Sequence, residues 1–234
     1  MNLPILTFHE PTGPWADKLT LTANESWTLH RYSSFWYDAC ADFALDKLVD
    51  GEGKSCLVIG SPLFEALELA DSGWNVTYLD VRERPNDAEF SSLSSLSWLK
   101  ADATNIPLSD ASVDAVSSTC VLCHAGMGRY GDVAYPGGDL RMLSEIARVL
   151  KPDGVATIGV GPTAKCDGIH LIGKIHRVYS PTSVLMLCAA AGLEVVSLGI
   201  FSFLKREWLT IDEYPTDRLD LPDYLCAFLR KRIA

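Results

Sequence analysis

Short apolar runs alternate with helix-length segments along most of this chain, and several of the runs stop at a glycine or an aspartate. Cys56-Leu57-Val58-Ile59 ends at Gly60, and Asn75 to Leu79 ends at Asp80. Trp98 to Lys100 stops just before Asp102, Val113 to Thr119 is entered through the Asp110-Ala111-Ser112 turn, and Val155 to Val160 follows Lys151-Pro152-Asp153-Gly154. Between the runs lie segments with helical periodicity and start signals. Ser33 caps a predicted helix whose apolar face is Phe35, Trp36, Ala39, Phe43 and Leu48. Ser61-Pro62 offers a capping hydroxyl and a proline for the first position of a second. A third, Asp139 to Leu150, carries Leu140, Leu143, Ala147 and Leu150 on one stripe, with Met142, Ile146 and Val149 beside it. Strands separated by helices argue for a parallel sheet covered on both faces, with ligands at the C-terminal ends of the strands. The tail breaks the rhythm: after a helix from Ser180-Pro181 to Ala190, Leu193 to Leu198 and Tyr224 to Leu229 follow with no clear helix between them. The predicted fold is therefore α/β, a doubly wound, mostly parallel seven-stranded sheet with an antiparallel C-terminal edge.

With 234 residues, 48% of them hydrophobic, the chain can bury one sizeable core. Residues 1–50 are expected to form a helical extension that covers the core or a pocket, and 51–234 the main domain. A formal charge of −10 repels phosphate backbones and anionic headgroups, so neither nucleic acid nor a membrane surface is an expected partner. The basic cluster Arg230-Lys231-Arg232 reads as a solvated strand end. Met1 to Glu10 lacks the layout of a signal peptide and no apolar run reaches membrane-spanning length, which makes a cytoplasmic protein the expectation, as a monomer or homodimer. The seven cysteines are scattered singly and read as reduced core thiols. Cys120-x-x-Cys123-His124 resembles half a zinc site, but a second ligand pair is not evident, Cys166 and His170 being too dispersed, so no metal is expected.

From about Ser55 to Ile233 the ordering of motifs resembles the class I S-adenosylmethionine-dependent methyltransferases, a Rossmann-like superfamily. Cys56-Leu57-Val58-Ile59-Gly60 is similar to the first cofactor motif, and Val76-Thr77-Tyr78-Leu79-Asp80 to the strand whose terminal acid holds the ribose hydroxyls. Lys100-Ala101-Asp102-Ala103, with Ile106-Pro107-Leu108 and Val113-Asp114-Ala115-Val116, is similar to the adenine-binding acid and the strand after it. Ile146-Ala147-Arg148-Val149-Leu150-Lys151-Pro152-Asp153-Gly154 has the helix-to-turn pattern common in the superfamily. His124-Ala125-Gly126-Met127-Gly128-Arg129-Tyr130-Gly131-Asp132, followed by Gly138-Asp139-Leu140, looks like an uncharacterised branch that names no substrate. The resemblance implies S-adenosylmethionine as cofactor, held by Gly60, Ser61, Pro62, Asp80, Val81, Asp102, Ala103 and Cys120. Two departures stand out: Val58 replaces the acid expected two residues before the first glycine, and Ser61-Pro62-Leu63 replaces the Gly-x-Gly turn. Proline donates no backbone hydrogen bond, whereas a helix N-terminus beside Ser61 still offers amides to a carboxylate.

The residues themselves support parts of this assignment. Asp80 can accept from two vicinal hydroxyls, and its alternative is an ordinary turn aspartate. Asp102 can accept from an amino group, although Asp-Ala-Thr-Asn is also turn chemistry. His124 follows the fourth strand of the parallel set, where an imidazole can take the acceptor's proton, with Asp132 orienting it or acting as the base itself. Arg129 and Tyr130 are candidates for holding an anionic or hydroxylated acceptor, or for pinning the loop. Trp36 and Tyr37 can present ring faces to a sulfonium or pack as core. His170, His176 and Arg177 lie in a stretch that can border the acceptor. The leading expectation is a methyltransferase acting on oxygen, or nitrogen, of a small molecule. Its alternatives are a non-catalytic domain with a degraded cofactor loop and a nicotinamide-dependent oxidoreductase, which the missing Gly-x-Gly-x-x-Gly disfavours.

Overall fold

The computed structural model describes residues 6–9, 35–84, 96–165, 168–202, 204–214 and 223–232. In chain order its elements are β1 (Leu6–His9), α1 (Phe35–Lys47), β2 (Ser55–Ile59), α2 (Leu63–Asp71), β3 (Asn75–Asp80), β4 (Leu96–Lys100) and β5 (Val113–Thr119). There follow α3 (Gly138–Val149), β6 (Leu150–Thr163), β7 (Ile169–Ile172), β8 (His176–Tyr179), α4 (Pro181–Ala190), β9 (Leu193–Ser202), β10 (Glu207–Leu209) and β11 (Asp223–Lys231).

The strands join one sheet. Its parallel part runs β4-β3-β2-β5-β6, and β11 continues it antiparallel to β6. β9 lies antiparallel against the other side of β11, and β10 antiparallel against β9. The predicted seven strands and antiparallel C-terminal edge are thus present, with the last strand inserted between β6 and β9. A second arm leaves the end of β6, where Thr163 pairs in parallel with Tyr179 of β8; β7 is antiparallel to β8, and β1 parallel to β7.

Side-chain alternation along β2 shows why the sheet needs helices on both faces. Leu57 and Ile59 join a core with Met142, Leu143 and Ile146 of α3 and Val184 and Leu187 of α4. Cys56 and Val58 face the opposite way, into a core with Leu63, Ala66, Leu67 and Ala70 of α2 and with Leu48, just beyond α1. Leu57 and Val58 are wholly buried, and each such side chain contributes about 1.5–3 kcal/mol relative to exposure. A strand buried on both faces is apolar throughout, which is the run read from sequence.

Helix starts follow the local chemistry, with one correction. The helix expected from Ser180-Pro181 is present as α4, and Ser180 caps it, its hydroxyl accepting from the Ser183 N–H at 3.1 Å. Ser61 does not cap α2. Pro62 itself occupies the cap position, one residue before its predicted place, and no side-chain cap bond forms. The Ser61 hydroxyl instead accepts from the Thr119 N–H at 2.7 Å, tying the turn after β2 to the end of β5. The Lys151-Pro152-Asp153-Gly154 turn is absorbed into β6 as an irregularity, with Asp153 at φ 62° and a register shift opposite Val113 to Ala115.

Ser33, the expected cap of α1, and Cys166 lie outside the described residues. Cys40, Cys56, Cys120, Cys123, Cys188 and Cys226 are free and buried. Among the described residues no helix is long and apolar enough to cross a membrane, and no three His, Cys, Asp or Glu side chains converge as metal ligands.

Candidate functional site

Because β2, β3, β4 and β5 run parallel, the residues that end them, Gly60, Asp80, Asp102 and Cys120, gather at one edge of the sheet. There they border a cleft of about 970 Å³, part of it open to solvent. The eight residues that the resemblance assigns to the cofactor, Gly60, Ser61, Pro62, Asp80, Val81, Asp102, Ala103 and Cys120, all line it, and so do His124, Tyr130 and Asp132. Arg129 is not among the lining residues, and the side chains of Trp36 and Tyr37, in the first turn of α1, lie outside the described ones.

The turn after β2 is held from several sides. Gly60 has φ 53°, and a Cβ there would come within 3.0 Å of Val121 Cγ2, so a side chain would push into the cleft wall. Its N–H donates to Leu79 O at 2.8 Å. The phenol of Tyr78 donates to the Ser61 carbonyl, while the Ser61 hydroxyl bridges to Thr119.

Asp80 is almost fully buried and already paired: Arg82 donates from Nε to Oδ1 at 2.9 Å and from Nη2 to Oδ2 at 2.8 Å. The Arg82 guanidinium also lies 5.8 Å from the Tyr130 ring centroid, so Arg82 connects the acid on β3 to the loop after β5. The Arg82 backbone N–H also donates to Oδ1 at 2.8 Å, so of the roughly four lone-pair directions of the carboxylate one, on Oδ2, stays open for a further donor. Asp102 accepts from the Thr104 N–H and hydroxyl, each at 2.8 Å, and from the Val133 N–H at 3.2 Å. It is both a turn aspartate and a clasp on the loop.

That loop runs from Val121 to Gly137. Gly126, Gly128 and Gly131 all have positive φ, and Gly126 lies against Gly138 so closely that a Cβ on Gly138 would be 2.7 Å from Gly126 Cα. Asp132 braces the bend, accepting from the Gly128 N–H at 3.0 Å and the Tyr130 N–H at 3.1 Å.

His124 is partly open to the cleft. Its Nδ1 is 2.7 Å from the Ile175 carbonyl, which can only accept, so Nδ1 carries the proton and Nε2 keeps its lone pair. Burial, then the Arg129 cation and His176, lowers its pKa to about 3, and the ring stays neutral through the physiological range. Tyr130 meets it edge-on at 5.4 Å, and Arg129 stacks on the same phenol at 5.0 Å while donating to Ile175 O at 3.2 Å. Arg129 therefore pins this loop to the β7–β8 turn.

Cys120 lines the cleft, where the resemblance assigns it, and adopts φ 60°, whereas Cys123 is buried and its thiol pushed up to about 12 by burial. Two sequence expectations change. Arg177 is interior, its Nε 3.5 Å from Asp139 Oδ2, and Tyr179 donates to that same oxygen at 3.1 Å. His176 is buried beside His124 and does not line the cleft. Sequence reasoning missed Arg82 and Thr119; the available signal was a cation two residues beyond Asp80, within bidentate reach once the chain bends.

Residues 60–158 match the family model described as a methyltransferase domain. No curated protein matches the chain. Among solved structures, the 1,6-didemethyltoxoflavin-N1-methyltransferase of Burkholderia thailandensis, with S-adenosylhomocysteine bound, is 17% identical at TM-score 0.63, over 86% of this chain and 80% of that one. The [4+2]-cyclase SpnF is 18% identical at TM-score 0.61, over 84% and 81%. A putative sarcosine dimethylglycine methyltransferase of Galdieria sulphuraria is 17% identical at TM-score 0.59, over 84% and 85%. At these identities the likeness is one of fold: the Rossmann-like methyltransferase fold.

Proposed function

We propose that this protein is an S-adenosylmethionine-dependent methyltransferase acting on oxygen, or nitrogen, of a small-molecule acceptor. The observation that carries the reading is the convergence of two strand-end carboxylates, Asp80 and Asp102, and the Gly60-Ser61-Pro62 turn on one cleft that also exposes the neutral imidazole of His124. The fit is chemical as well as spatial. Asp80 keeps one direction open for a ribose hydroxyl, Asp102 suits an adenine amino group with Val81 and Ala103 also lining the cleft, and Gly60 leaves open the space that a Cβ would fill. The family match over residues 60–158 supports the same cofactor.

Bound there, S-adenosylmethionine supplies an electrophilic methyl group on a sulfonium. What the chain adds is position and a proton acceptor. With Nδ1 fixed on Ile175 O, His124 presents the Nε2 lone pair to a hydroxyl acceptor and orients it by a hydrogen bond; at a pKa of about 3 the ring is a weak base, and it takes the proton as methyl transfer makes the hydroxyl oxygen cationic. Asp132, with both oxygens on backbone amides, shapes the loop that carries His124 and Tyr130. A net charge of −10 favours a small acceptor over nucleic acid.

Pro62 at the cap of α2 and the engagement of Asp80 by Arg82 favour a second reading, a non-catalytic or differently reacting domain on the same fold; the cyclase neighbour illustrates that fold does not dictate reaction. Calorimetric titration with S-adenosylmethionine and S-adenosylhomocysteine tests the cofactor. Micromolar binding that weakens about tenfold to a hundredfold in Asp80→Ala is expected, since hydrogen bonds to a charged group are worth about 1.5–3 kcal/mol. No binding by the wild type moves the assignment to the second reading.

A further inference from the structure

The acid missing at Val58 has a counterpart from another element. In the β2–β5 register Val58 lies beside Ser117, and the Ser117 hydroxyl donates at 2.6 Å to Oε1 of Glu65, which reaches in from the first turn of α2. Glu65 is wholly buried, and its Oε2 makes no hydrogen bond among the described residues. The Ser61 and Thr119 hydroxyls lie next to it, the same two residues that tie the cofactor turn to β5. A buried carboxyl beside Ser61 and Thr119, both of which line the cleft, is costly to keep unless something uses it.

We propose that Glu65 is a positioning residue of the cofactor site, a buried carboxyl that ionises when a cationic ligand enters the cleft and so couples cofactor binding to pH. The inference rests on the cofactor reading above. In the free protein burial raises the Glu65 pKa to about 7, against the lowering effect of the Ser117, Thr119 and Ser61 hydroxyls, so the group is poised between its two forms near neutrality. Among the described residues the titratable groups that face it are the Cys40 thiol of α1, Cys56 of β2, Tyr78 of β3 and Cys226 of β11, none of them a cation. Thr157 of β6 continues the chain of hydroxyls through Ser117 at 2.9 Å. The sulfonium and ammonium of S-adenosylmethionine would be cations introduced near this carboxyl. A nearby opposite charge favours the ionised form, and by linkage the ionised form favours the ligand.

The sign follows. Binding releases a proton from Glu65 to solvent, and affinity rises with pH. If the ligand lowers the Glu65 pKa by about one unit, S-adenosylmethionine affinity gains about fourfold between pH 5.5 and 7, mostly below the titration of the cofactor's own amine, and about half a proton is released near pH 6.5.

Calorimetry across that range, repeated in buffers of different ionisation enthalpy, reads both quantities. Pairing wild type with Glu65→Gln, which keeps shape and removes ionisation, should flatten the profile and abolish the release. Difference infrared spectra of the free protein give an independent readout: a protonated-carboxyl band that disappears on raising pH through about 7 in the wild type and is absent in Glu65→Gln. Should that variant not fold, Ser117→Ala serves instead, because losing the Oε1 donor shifts both midpoints to higher pH. Wild-type binding that is flat with pH, or equally steep in Glu65→Gln, overturns the role of Glu65 alone. No wild-type binding at any pH overturns the cofactor reading and this proposal together.

Discussion

Gly126→Ala and Gly53→Ala form a matched pair that isolates how the loop after β5 is held. Their backbones are nearly identical, φ 70° at Gly126 and 71° at Gly53, so the conformational cost of placing an alanine in the left-handed region, about 1–2 kcal/mol, is common to both. Their surroundings differ. A Cβ at Gly53 meets nothing within 4 Å, whereas one at Gly126 would sit 2.7 Å from the Tyr135 carbonyl oxygen and 2.9 Å from Gly138 Cα. Both obstacles are backbone, which cannot swing away as a side-chain tip can, so overpacking adds about 1–3 kcal/mol. Gly53→Ala should therefore cost about 1–2 kcal/mol and Gly126→Ala about 2–5 kcal/mol. Urea unfolding, compared at unchanged slope, measures both. The second variant should also weaken activity beyond its loss of stability, because the crossing with Gly138 sets where His124 and Tyr130 enter the cleft. Equal destabilisation by the two alanines would refute the argument, since it would mean that the crossing yields without cost.

Three further outcomes follow from buried polar groups. Because the folded pKa of His124, about 3, lies below its ordinary 6.5, the unfolded chain binds the extra proton first; stability should fall as pH drops from about 6.5 towards 3, and acid titration of His124→Gln should show a shallower loss. The same variant should lower kcat by about a hundredfold while leaving cofactor affinity within a few-fold, and full turnover in stopped assays would remove His124 from the base role. Asp139→Asn strips the counter-charge from Arg177, both of them buried, and should cost about 3–5 kcal/mol in denaturant midpoints, an outcome under about 1 kcal/mol implying that Arg177 finds another partner.

What could be read from the sequence was set by range along the chain. β2, β3, β5 and β6 are legible because strands buried in the middle of a parallel sheet carry short apolar runs that end at turns, α3 because its apolar stripe is local, and α4 because its Ser180-Pro181 start is local. The arm β1, β7 and β8 is not: Ile169–Ile172 and His176–Tyr179 have four residues each, too few for a period to show, and their pairing with β6 rests on Thr163 alone. The site divided in the same way. Gly60, Asp80 and Asp102 sit at strand ends, where a parallel sheet must collect them, so their neighbourhood follows from topology. The Asp80–Arg82 pair, the His124–Ile175 contact and the inward turn of Glu65 depend on tertiary approach that no spacing encodes. Ser61 is the instructive miss, because its hydroxyl had two possible uses. Capping α2 is the local one, and it lost to the amide of Thr119, 58 residues away.

That choice bears on how the departures from the resembled motif should be understood. A glycine-rich turn lets backbone approach a ligand but must be ordered when the ligand arrives, at a cost in conformational entropy. Here Pro62 fixes one φ, the Ser61 hydroxyl is anchored on β5 and its carbonyl on Tyr78, so the turn is ordered before anything binds. Pro62 removes one amide donor, a loss of about 0.5–1.5 kcal/mol in net hydrogen bonding, which is the size of the backbone entropy, about 1–2 kcal/mol, saved at each residue already fixed. The two terms offset each other. On these magnitudes Ser61-Pro62-Leu63 exchanges a flexible cradle for a rigid one, and the absence of Gly-x-Gly does not by itself argue for a site that has lost its ligand.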